Sequence, residues 1–225
     1  MWRMGDRSTR KGIAMHFLRM EKLSEYARLY PVGASFCALM IAVHVGFFVW
    51  AFVTQSDVDV LKRTFGAFYT DPMMGIQPTY WDYFTSAFLH ADWMHLLFNV
   101  FFLYVFSPPL ERLLSSWLFA GLLLVSGFIG NVFTFLYYDA VSSIGASGMV
   151  YGLYGAYVLL MWRIPSFLGV AERRMVWALL IIGFGFSLLF SNVNMSAHVG
   201  GFVGGFVYAL VARYVLPRRE GVDGA

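Results

Sequence analysis

Six runs of apolar residues, at about 32–53, 92–114, 117–137, 147–163, 175–191 and 198–215, make up most of this chain. A segment inside lipid has no water to satisfy its backbone, so runs of this length are expected to be helices, and six of them predict an all-α membrane bundle. Composition agrees, because 59% of the 225 residues are apolar and only 13% are charged, too few to cover a water-soluble domain of that size. The longest connection, residues 54–91, is too short and too aromatic for a separate domain. The expected organisation is an N-terminal cytosolic or juxtamembrane segment over 1–30, one membrane domain over 31–216 and a short cytosolic tail over 217–225. Within the first segment, Ile13, Phe17 and Met20 recur at near-helical spacing, which suits a helix lying on the membrane surface as well as it suits a solvated tail. That segment lacks the apolar core of a secretory signal. The single cysteine, Cys37, permits no intrachain disulfide.

The distribution of charge predicts an orientation. Lysine and arginine number seven before the first run, then two, one, none, three and none in the successive connections, and three from Arg213 onward. Fourteen of the sixteen thus fall on one side, which the positive-inside rule makes the cytoplasm, with both termini there and residues 54–91 outside. These basic residues cluster at the ends of apolar runs and form no stripe for nucleic acid, despite the formal net charge of +3. The fourth run is short. From Ser147 to Arg163 it offers roughly 22–26 Å of helix against a hydrocarbon core of roughly 30 Å. Its outer end is expected to begin below the membrane surface, with residues 138–146 entering as irregular backbone.

Polar groups that are costly in lipid sit at the starts of the second, fourth and sixth runs: His90, His95 and Asn99, then Ser147, then His198. All three starts face outward in the predicted topology, so the groups can converge. Each has a plainer reading. Ser147, within Gly145-Ala146-Ser147-Gly148, is equally suited to close helix packing, and His198 to an interhelical hydrogen bond. His90 and His95 are five apart, poor spacing for ligation from one helix face, and no acid or cysteine accompanies them, so neither a metal nor a cofactor is expected. Gly201 and Gly205 follow His198 at i+3 and i+7, and this smooth stripe predicts contact with the fourth run. Tyr151 follows Ser147 by one turn and is placed to stack on His198.

These groups have a chemistry in common. A serine hydroxyl is a weak nucleophile until a base takes its proton, and imidazole is well matched to that task near neutral pH. Ser147 with His198 forms a candidate dyad. The backbone N–H of Ser147, unpaired at a helix start, and the side chains of His95 and Asn99 form a candidate oxyanion hole. Asp92 and Asp139 lie on the same side as solvated loop residues, and neither is assigned a role.

In order and spacing, His90-x4-His95-x3-Asn99, Gly145-Ala146-Ser147-Gly148 with Tyr151, and Ala197-His198 with Gly201 and Gly205 resemble the rhomboid intramembrane proteases over residues 35–215. The resemblance implies a six-transmembrane-helix bundle with a short, partly buried fourth helix and a cavity open to the outside. It implies hydrolysis of peptide bonds in or near transmembrane segments of single-pass or polytopic membrane proteins. By position it makes Ser147 the nucleophile, His198 the general base, His95 and Asn99 oxyanion donors, Tyr151 the ring against the base and His90 a structural residue. A bacterial plasma membrane is the expected location. Two stretches depart from the family pattern: Trp81-Asp82 stands where many members have Trp-Arg, and Ser107 and Ser115 flank Glu111 where the pattern has glycines. The first bears on how the first loop is anchored, the second on packing between the second and third runs. Competing readings are an inactive relative that binds membrane clients, which typically lacks one of the dyad residues, a proton-coupled transporter, and a lipid hydrolase or acyl transferase using the same dyad.

Overall fold

The computed structural model describes residues 21–64, 66, 68–138, 141–189 and 193–215. Most of the 1–30 segment, the 217–225 tail and Asp139 lie outside these residues. Within them, six long helices coincide with the six apolar runs: α2 (Pro31–Thr54), α5 (Trp93–Leu114), α6 (Ser116–Tyr137), α7 (Ser147–Arg163), α8 (Val170–Leu189) and α9 (Met195–Val215). Four of them, α2, α5, α6 and α9 to Ala212, are long and apolar enough to cross a membrane. The α7 helix has 17 residues, and α8 opens with Glu172, Arg173 and Arg174. Shorter elements are α1 (Leu23–Leu29), α3 (Val58–Thr64), α4 (Asp82–Thr85) and the strands β1 (Phe68–Thr70) and β2 (Val141–Ser143).

The short helix is the centre of the bundle. Twelve of its 17 residues are buried, and its main neighbours are α9 and α6, which also pack on each other. The α2 helix is the opposite case, turning Leu39, Ile41, Val45, Val49, Phe52 and Val53 outward, as a lipid-facing helix does. Glycine explains the closeness of α7 and α9. A β-carbon on Gly201 would overlap the backbone of Gly148, and one on Gly205 the backbone of Gly152; from the other side, one on Gly155 would overlap the backbone at Phe202 and Phe206. Two helices can approach until main chain meets main chain only where both lack side chains.

Backbone groups freed by helix breaks find partners. Pro108 has no N–H for the carbonyl of Tyr104, and the Tyr26 hydroxyl donates to that oxygen at 3.0 Å. Tyr26 also stacks on Tyr104 at 4.3 Å between ring centroids, so α1 is docked on the bundle; Ile13, Phe17 and Met20 lie outside the described residues. At the start of α2 the buried carboxylate of Glu111 accepts the N–H groups of Val32 and Gly33 at 2.9 and 3.0 Å, where the unpaired donors and the helix dipole both favour an anion.

One expectation changes, and two points left open by the sequence are filled in. Residues 141–143 are not irregular backbone: β2 pairs antiparallel with β1, with Tyr69 opposite Ser142, and the ladder supplies the hydrogen bonds that a chain entering lipid would otherwise lack. Ser107 lies against α2, since a β-carbon on Gly33 would stand 2.9 Å from that of Ser107. The first loop is anchored beyond Trp81-Asp82, by Asn131 of α6, which donates to the Tyr83 carbonyl and to the Ser86 hydroxyl, both at 2.9 Å.

Candidate active site

Ser147 is the first residue of α7 and is half-buried. The turn leading to it depends on Gly145, whose φ of +122° is one that residues with a β-carbon rarely adopt. A side chain there would also overlap the His95 imidazole, whose Cε1 and Nε2 lie closest. The turn is tied to the first loop by the Gly145 N–H, which donates to the Ser86 carbonyl at 2.9 Å. The first N–H groups of α7, that of Ser147 included, have no carbonyl within the helix to receive them. His95 therefore lies against the turn that presents Ser147 and the open donors of the helix.

His198 is buried on the first turns of α9. Its ring lies 4.1 Å from that of Tyr151, with 14° between the planes. Since Tyr151 is one turn along α7 from Ser147, and Gly201, one turn beyond His198, rests on the Gly148 backbone, the serine and the histidine stand at the same end of one helix seam. Ser147 Oγ itself has no hydrogen-bond partner among the described residues; such bonds commonly tighten when substrate is bound. On its other side the imidazole is held: His198 Nδ1 and the Ser187 hydroxyl of α8 are 2.7 Å apart. Ser187 was not among the residues read from the sequence.

The structure distributes the remaining candidates unevenly. Asp92 caps α5, accepting the His95 N–H at 2.8 Å, and that bond holds its carboxyl below the usual carboxylate range. Asn99 is buried one turn along from His95, and its Nδ2 donates to the His95 carbonyl at 2.9 Å. Half of its amide donor capacity is thus spent within its own helix. His90, ahead of α5, is fully buried, with its ring centroid 5.2 Å from that of His95 and 6.4 Å from that of His44. Burial, reinforced by these two histidines, pushes its imidazole down to about 3, so it stays neutral under ordinary conditions.

Sequence reading missed a polar framework around the site. Asn194 accepts from the Ala197 N–H and the Ser196 hydroxyl at 3.0 and 2.8 Å and donates to Thr134 and Ser143, both at 2.9 Å. One side chain thereby joins the start of α9 to α6 and to β2. Asn194 could have been found by its position, in the connection between the fifth and sixth runs that faces outward in the expected topology, whereas Ser187 lies inside the fifth run and carries no such signal.

The sequence profile of the rhomboid domain matches residues 77–215. YdcA of Bacillus subtilis (strain 168), named as a candidate rhomboid protease, is 32% identical over 207 residues, covering 90% of this chain and 99% of YdcA. The chain belongs to the rhomboid family. Other members are similar over shorter stretches. The rhomboid protease GluP of the same organism is 33% identical over 59% of this chain and 26% of GluP, and the rhomboid protease GlpG of Pectobacterium atrosepticum is 30% identical over 64% of this chain and 52% of GlpG. A rhomboid with apolar helices of this length is an integral, multi-pass membrane protein, and relatives named as proteases support the same class of activity here.

Proposed function

We propose that this rhomboid is an intramembrane serine endopeptidase that cuts peptide bonds in or near transmembrane segments of other membrane proteins through Ser147 and His198. The observation that carries the reading is the stacking of His198 on Tyr151, one turn along the helix that Ser147 opens. In the first step the Ser147 hydroxyl proton passes to the imidazole while Oγ attacks the scissile carbonyl carbon. The carbonyl oxygen becomes an oxyanion, facing the Ser147 N–H with His95, and the remaining Asn99 donor, as side-chain partners. Collapse breaks the C–N bond, and the imidazolium gives its proton to the departing amine. Water, deprotonated by the same imidazole, then hydrolyses the Ser147 ester and returns the proton to the serine.

The basic residues support an arrangement in which both termini are cytoplasmic and the site opens outward. All six long helices would then cross or enter the bilayer, with α7 starting below its outer surface. Cysteine-accessibility mapping in a Cys37→Ala background tests this, and a first loop reachable only from the cytoplasm would overturn it. The chemistry is tested by reconstituting the protein with a transmembrane reporter. Ser147→Ala should abolish cleavage while leaving detergent behaviour intact, because it removes the reactive group and little packing, and His198→Ala should abolish cleavage with some loss of stability, because its buried ring stacks on Tyr151. Normal cleavage by either variant would refute the dyad.

A further inference from the structure

The His198 ring has two nitrogens, and a general base needs the one facing its substrate to be unprotonated. Ser187 supplies what decides between them. Its Oγ is 2.7 Å from His198 Nδ1, 2.8 Å from the Gly183 carbonyl oxygen and 3.5 Å from the Tyr151 hydroxyl. A carbonyl oxygen can only accept, so the contact with Gly183 takes the single hydroxyl hydrogen of Ser187. Oγ must then accept from His198, which places the imidazole proton on Nδ1 and leaves a lone pair on Nε2. The second lone pair of Oγ faces the Tyr151 hydroxyl, so the valence of the Ser187 oxygen is filled. Gly183 makes room for this, since a β-carbon there would run into the Tyr151 hydroxyl.

We propose that Ser187, through its hydrogen bonds to His198 Nδ1 and the Gly183 carbonyl, is a positioning residue that fixes His198 in the Nδ1–H tautomer and its ring in the plane that Tyr151 supports. The proposal rests on the dyad reading and adds an orienting group to it. Ser187 touches no reacting atom; it acts through the base. As a neutral acceptor it supplies orientation without the charge that a carboxylate would bring to the same position. The α8 helix thereby contributes to the site, although few of its side chains are buried.

The test compares unmutated protein with Ser187→Ala and Ser187→Thr, using a transmembrane reporter under single-turnover and steady-state conditions. A neutral hydrogen bond contributes enough to hold the correct tautomer over the other by roughly tenfold. Ser187→Ala should therefore lower kcat about tenfold with KM little changed, and Ser187→Thr, which keeps a hydroxyl able to bond the same carbonyl, should restore most of the rate. Equal losses in the alanine and threonine variants, or a full rate in Ser187→Ala, would overturn the proposal. A second measurement does not need the Ser187 variants. The ¹⁵N shifts of the imidazoles in unmutated protein, assigned to His198 by difference from His198→Gln, should show a protonated Nδ1 and a bare Nε2, and the opposite tautomer would overturn the proposal. Failure of the dyad is separately visible, because Ser147→Ala would then cleave the reporter whatever tautomer the spectrum reported.

Discussion

The α9 and α8 helices both flank α7, and they do so by opposite means. Along α9 the contact is backbone on backbone, with Gly201 against Gly148 and Gly205 against Gly152. Along α8 only Val176, Leu180 and Ser187 are buried, while Ile181, Ile182, Leu188 and Leu189 face outward, and a hydroxyl and an aromatic contact between Phe184 and Tyr151 connect it to the site. The spacing of Ser147 and His198, the two residues proposed to do chemistry, is set where there is no side chain to yield. The orientation of one of them is tuned where there is. A rhomboid site in this chain thus separates fixed spacing from adjustable alignment, and substitutions on the two helices should differ accordingly.

The largest effect is expected at the seam. Gly201→Val would force branched carbons into the Gly148 carbonyl and Cα, atoms that cannot rotate away, so the cost should exceed the roughly 1–3 kcal/mol typical of core overpacking. Reporter cleavage and the thermal midpoint in detergent should fall together. Near-normal values of both would mean that α7 and α9 do not meet as described.

A smaller effect, of opposite sign, is expected where α5 joins α6. Ser115 holds a φ of +69°, a conformation that favours glycine, in the stretch where the family pattern has one. Ser115→Gly should raise stability by about 1 kcal/mol by relieving that strain, with activity unchanged. A destabilised variant would show that the serine side chain has a role that outweighs its backbone.

The smallest effect belongs to α8. Nothing lies within 4 Å of where a β-carbon on Gly185 would stand, so Gly185→Ala should change stability by less than about 0.5 kcal/mol or improve it slightly. Measured beside Gly201→Val, it separates a general intolerance of helix glycines from the seam itself. A loss at Gly185 comparable to that at Gly201 would erase the distinction between the two helices.

What could be read from the sequence follows the same division. Gly201 and Gly205 repeat at helical spacing after His198, so their shared face was legible, as was the short α7, whose ends are marked by Ser147 and by Arg163 before Pro165. The β1–β2 pairing was not, because three-residue strands carry too little periodicity to declare themselves. Ser187 escaped for a different reason. A serine within an apolar run has no pattern of its own, and its importance lies in the Gly183 carbonyl one turn before it and in a histidine eleven residues later on another helix. Asn99 was legible as a polar residue on the face of His95, but its bond to the helix backbone depends on a rotamer that spacing does not specify.

On the proposed mechanism His198, held on the α7–α9 seam, activates the serine that opens α7. This can be checked by labelling with a serine-directed fluorophosphonate, followed by mass-spectrometric location of the adduct. One adduct is expected, on Ser147, absent from Ser147→Ala and strongly reduced in His198→Ala and Gly201→Val. An adduct on any other serine, or labelling of Ser147 at an undiminished rate without His198, would contradict it.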